Sequence, residues 1–185
     1  MKRLLSFLLI ICTLLLSSCG FFEAHTTDIA KYGRFKRCVS DWEFEFFPRL
    51  DTDIMSGIRY SYNADCIIDC AHEIYLEFTI EDEESFSSFL KEHSNAITQK
   101  KRDAVIREFK YDKSYTEVVI EDEILMRTSD EDELVIDHAY VRKMLYNDES
   151  NCIVFINLYV IDYWELENST YISRFNIDPY DLLIF

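Results

Sequence analysis

The chain has 185 residues, 49% of them hydrophobic and 15% aromatic, and a formal net charge of −16. That apolar content excludes a disordered chain, and the charge excludes nucleic acid as a partner, because phosphate recognition needs the opposite sign. With three Gly and two Pro, nothing in the chain reads as a glycine-rich phosphate loop.

The N-terminus is a basic dipeptide, Lys2-Arg3, followed by an uncharged apolar run from Leu4 to Leu16. As a helix that run spans about 20 Å at ~1.5 Å per residue. A bilayer core needs roughly 30 Å, so the run reads as a signal segment and not as a membrane span. It ends in Leu16-Ser17-Ser18-Cys19. This tetrad resembles the lipobox of bacterial lipoproteins: an aliphatic residue, two small residues, then Cys. The resemblance implies that residues 1–18 are a cleaved signal peptide and that the Cys19 sulfur carries a diacylglyceryl group. It also implies a location on the cell membrane, facing the extracytoplasmic side, with the membrane as a partner through the lipid. Two acyl chains matter because a single one gives only marginal binding. Losing Lys2 and Arg3 takes the net charge from −16 to −18. Anionic headgroups repel such a domain within a Debye length of ~8 Å.

Residues 19–37 read as lipid anchor and tether, and 38–185 as one domain, the size prior for a chain this long. Trp42 to Phe47 alternates apolar and acidic residues and predicts a strand, which Pro48 ends. Ile58 to Tyr62 alternates again. Asn63 to Cys70 reads as a connection. Glu73 to Ile80 is the clearest alternation in the chain, with Ile74, Leu76, Phe78 and Ile80 on one face. A helix follows, capped by Glu81 or Asp82, with Phe86, Phe89, Leu90 and His93 at helical spacing and a stop at Ser94-Asn95. Val105–Tyr111 and Tyr115–Ile120 read as strands around an Asp112-Lys113-Ser114 turn. Residues 139–163 predict a long hairpin turning at Asn147–Asn151. Its second arm, from Cys152, is almost wholly apolar, the mark of a central strand covered on both faces. Ser169 caps a short helix, Tyr171–Phe175, before Pro179. The segments LYNDESNCIVFINLYV and YISRFNIDPYDL are similar to the C-terminal part of uncharacterised exported proteins of Gram-positive bacteria, a resemblance that implies no activity.

The cysteines left after signal removal, besides Cys19, are Cys38, Cys66, Cys70 and Cys152. An even number outside the cytoplasm suggests disulfides, with three pairings open. Cys66 and Cys70 are the candidate pair, provided that the chain turns between them. With His72 they also form a C-x3-C-x-H cluster, but no second cluster completes a zinc site. As thiol nucleophiles they would need a base such as His72 or His138. The acidic runs are 81–84, 121–123 and 130–133. The last fails the EF-hand pattern because Val135 stands at its sixth position, where Gly is required. No catalytic motif, metal set or cofactor motif stands out.

The expected fold is α+β: a twisted antiparallel sheet covered by one or two helices, with a long C-terminal β-hairpin followed by a short helix. The expected function is a non-catalytic binding or accessory protein of the cell envelope, with a protein partner of basic character. The alternatives are an envelope hydrolase with a site that has no motif, and an immunity-type lipoprotein that neutralises a basic toxin.

Overall fold

The computed structural model describes residues 23–33, 45–66, 70–100, 104–128, 134–160 and 163–183. Its frame is a seven-stranded antiparallel sheet in the order β1-β2-β3-β7-β6-β5-β4. The strands are β1 (Glu23–Thr26), β2 (Met55–Cys66), β3 (Cys70–Ile80), β4 (Val105–Glu108), β5 (Thr116–Thr128), β6 (Leu134–Asn147) and β7 (Cys152–Val160). Helix α1 spans Glu83–Lys100, and three short helices close the described chain: α2 (Tyr163–Glu167), α3 (Thr170–Phe175) and α4 (Pro179–Leu183). The chain is thus α+β with an open antiparallel sheet.

β7 is the middle strand and is buried at every residue except Tyr159, which is half-buried. Burial on both faces removes the period-two alternation and leaves the apolar run CIVFINLYV. Each face has its own core. On the first face Ile74, Leu76, Phe78, Ile153, Phe155 and Met144 pack with Tyr60 and Tyr62, under Phe86 and Phe89 of α1. Phe78 meets Phe89 edge-on at 5.5 Å and stacks near Phe155 at 6.2 Å. On the second face Tyr75, Val154, Ile156 and Leu158 pack under Leu166, Tyr171, Ile172 and Phe175 of the C-terminal helices.

Several segments depart from the sequence expectation. Residues 63–66 and Cys70 are strand and not a connection, because the Tyr60-Tyr62-Ala64 alternation continues and Asn63 simply lies on the exposed side. Glu45 and Phe46 are helical, and residues 42–44 lie outside the described residues. Consecutive Phe46 and Phe47 both enter the first core, which a strand's alternation forbids. Helix α1 runs past Ser94-Asn95, since Ile97 extends the buried stripe of Phe86, Phe89 and Leu90 with no Gly or Pro to end it. β4 stops at Glu108, and β5 continues beyond Ile120. Glu23–Thr26, expected as tether, pairs with β2.

Local chemistry sets the turns. Gly57, at φ +60°, sits in the register shift between Ser56 and Arg59, where a bulge needs the left-handed conformation that glycine adopts freely. Asn147 Oδ1 accepts from the N–H groups of Glu149 and Ser150 at 2.9 and 3.0 Å, closing the β6–β7 turn. Ser169 accepts from Ile172 N–H at the start of α3, and Asn176 ends it in the left-handed region.

Candidate functional site

The second face of the sheet carries buried acids in addition to its apolar core. Glu73 is 4% exposed and accepts the N–H groups of Thr170 and Tyr171, both at 2.8 Å, so a β3 carboxylate seats the start of α3. Burial holds its carboxyl above the ordinary 4.5, even though both N–H bonds pull it down. Glu77, two residues on, works against the same burial but falls below 4.5, because Arg174 and the Tyr75 hydroxyl donate to it. Arg174 grips it with two bonds of 3.2 and 2.8 Å, and Tyr75 adds one of 2.8 Å.

These two carboxyls make opposite contributions to acid stability. Glu77 stabilises the fold above pH 4.5, and that contribution is lost as the pH falls through its depressed value. Glu73 has the raised value, so its contribution grows as the pH falls toward 4.5. The windows are separate. Arg174→Ala should flatten the loss of melting temperature below pH 4.5 while lowering the plateau at neutral pH. An unchanged acid slope in melts taken from pH 3 to 5 would contradict the Glu77 assignment.

The third acid, Glu117 on β5, is 1% exposed. Its Oε1 accepts from Arg107 Nε. Its Oε2 lies 3.3 Å from Lys143 Nζ but receives no hydrogen bond. Lys143, 2% exposed, donates to Asp122 at 3.0 Å, and Arg107 Nη2 stands 3.5 Å from Asp122. This network walls a cavity of about 260 Å³ between the β4-β5-β6 face and α4, with Phe109, Tyr111 and Leu182 as its apolar side. The Tyr171 hydroxyl is buried without a hydrogen bond, and burial, ahead of the nearby Asp122 and Glu117, holds it well above 10. The charges that converge on the cavity neutralise one another.

A second polar row crosses the first face. Arg142 donates to Glu121 at 2.8 Å and to Asn157 Oδ1 at 2.9 Å, and Asn157 Nδ2 stands 3.2 Å from His72 Nε2. With its oxygen occupied by Arg142, the Asn157 amide donates from nitrogen. His72 Nε2 is then the acceptor and carries no proton. A larger cavity, about 730 Å³, lies between α1 and the 45–50 segment, walled by Tyr32, Phe47, Pro48, Glu92 and His93. His93 Nδ1 donates to the Phe89 carbonyl at 3.1 Å, and burial holds its ring below 6.5.

Of the residues singled out from sequence, Cys19 and Cys38 lie outside the described residues, as does the acidic run 130–133. Cys66 and Cys70 are register partners at the end of the β2–β3 hairpin. His72 joins the polar row. Among the described residues no three His, Cys, Asp or Glu side chains gather closely enough to hold a metal, and no helix is long and apolar enough to cross a membrane. In the run 121–123, Glu121 and Asp122 are bound by Arg142 and Lys143.

Seven of the exposed acids have a common placement, although others, among them Asp28, Glu92, Glu123, Glu167 and Asp178, stand outside this group. β2 begins opposite the end of β3, with Met55 paired to Ile80. The β6–β7 turn closes over the same end, where Ile80 N–H donates to Asn151 O at 3.1 Å. Exposed Asp51, Asp53, Glu81, Glu83, Glu84, Asp148 and Glu149 therefore share one end of the sheet. β1 lies at the other end, with Glu23 opposite Asp65. Among cations with described side chains, Lys31, Arg59, Arg107, Lys113, Arg142, Lys143 and Arg174 are in ion pairs, while Arg49, Lys91 and Lys110 are exposed, Arg49 only two residues before Asp51. The chain matches no family model, and comparison with curated proteins and with solved structures finds no similar protein.

Proposed function

We propose that the protein is a lipid-anchored accessory domain of the cell envelope, held to the membrane by Cys19, which recruits a basic polypeptide through the acidic end of its sheet. The observation that carries this reading is the polarity of the fold. β1 starts four residues after Cys19, a reach of at most about 14 Å at ~3.5 Å per residue. The anchor thus enters at the Asp65 end, and β3 extends some 33 Å away from it at ~3.3 Å per residue. The acids at its far end stand well beyond a Debye length from the headgroups, where their field is free to steer a cationic partner.

The anchor is tested by Cys19→Ala. The variant should move from the membrane fraction to the soluble fraction, or persist as uncleaved precursor, and should lose incorporation of labelled fatty acid. Labelling at the wild-type level would refute the anchor assignment.

A further inference from the structure

We propose that Cys66 and Cys70 form a disulfide across the tip of the β2–β3 hairpin, locking the corner of the sheet on which β1 docks. The backbone carries the argument. The two residues are direct cross-strand partners, flanking residues 67–69. The type of pair follows from parity along β3. Ile80 N–H donates to Asn151 O, on the β7 side, so the even residues of β3 direct their backbone groups toward β7 and the odd ones toward β2. Cys70 is even, and its pair with Cys66 is therefore a non-hydrogen-bonded one. Such pairs hold Cα atoms about 4.5 Å apart with side chains at closest approach, and disulfides span Cα separations of about 4.4–6.8 Å.

The same register narrows the pairings left open by the sequence. Cys152 stands opposite Thr79, nine residues along β3 from Cys70, or about 30 Å at ~3.3 Å per residue. It is a buried free thiol and lies beyond bridging distance of either hairpin cysteine. The two connectivities that join Cys152 to Cys66 or Cys70 are thereby removed.

The bond forms by exchange with a small disulfide donor. One hairpin thiolate attacks the donor, giving a mixed disulfide and releasing one donor thiol. The second hairpin thiolate then displaces the other. Two protein thiols are oxidised, the donor disulfide is reduced to two thiols, and the two protons leave with them. The consequence falls on β1, whose partners Tyr62 to Asp65 run directly into Cys66.

The test equilibrates the full-length folded protein in oxidised glutathione, blocks remaining thiols with an alkylating agent, and cleaves before Asp69 to separate the two cysteines. The expected product is a reducible link between the Cys66 and Cys70 peptides, with Cys152 absent from any link. Amide exchange over Glu23–Thr26 should slow several-fold relative to the reduced protein. Cys70→Ser should leave Cys66 open to alkylation and abolish the difference in exchange. Two alkylated hairpin thiols after oxidation, or a link from either one to Cys38 or Cys152, would overturn the proposal. This readout uses the folded chain alone and is independent of anchoring and of any partner.

Discussion

Phe78→Ala should destabilise the fold by about 3–5 kcal/mol, the range for removing a fully buried aromatic ring. Phe78 has no exposed surface and touches both Phe89 of α1 and Phe155 of β7. Truncation therefore opens a cavity where helix, β3 and the central strand meet, and close-packed walls on three sides cannot collapse to fill it. For a chain of this size each 1 kcal/mol moves the melting temperature by roughly 2–4 °C, so a fall on the order of 10 °C is expected. A shift of only a degree in a calorimetric melt would contradict the placement of Phe78 at this junction.

A loss of similar size is expected from Lys143→Met, for a different reason. Lys143 is the buried cation between Glu117 and Asp122. Removing it leaves Glu117 buried with only the half-exposed Arg107 beside it. Breaking one side of such a pair costs about 3–5 kcal/mol, whereas replacing both sides with apolar groups is often close to neutral. Lys143→Met combined with Glu117→Leu should therefore recover most of the loss. Urea titrations of the single and double variants separate the two ideas. A double variant less stable than the single one would show that the pair contributes net stability beyond avoiding an orphaned charge.

The contrast between these sites explains what the amino-acid pattern discloses and what it conceals. Apolar positions are legible because their partners are of the same kind wherever they come from. Ile74, Leu76 and Phe78 announce a buried face by alternation, and the run from Cys152 to Val160 announces a strand buried on both faces. Ser169 is legible because capping is local. Glu73, Glu77 and Glu117 are concealed. By alternation they read as the solvent side of their strands, and what makes them interior is a partner distant in sequence: Arg174 lies 97 residues from Glu77. A buried acid declares itself only when the register across the sheet is known. Phe46 and Phe47 elude the pattern for a related reason, since an apolar-acidic alternation suits a strand until both rings of a consecutive pair turn inward. The acidic end could not be read from the runs taken singly. It is assembled by the turns that bring residues 51–53, 81–84 and 148–149 to one end of the sheet.

Tethering at one end of the sheet is proposed to go with recognition of a cationic partner at the other. It is tested most directly on lipidated protein anchored in neutral phosphatidylcholine vesicles, with a labelled poly-lysine peptide as probe. Two charge-matched variants are compared. One carries Glu84→Lys, Asp148→Lys and Glu149→Lys at the far end, and the other Asp130→Lys, Glu131→Lys and Asp132→Lys in the β5–β6 connection, whose strand ends Thr128 and Leu134 lie toward the β1 end. Electrostatic steering acts mainly on association rate and weakens with salt. The far-end variant is expected to slow association at low salt several-fold more than the other and to lose most of its salt dependence, with little change in fold stability because exposed charges contribute little to it. Equal slowing by the two variants, or association indifferent to salt in the wild type, would contradict it.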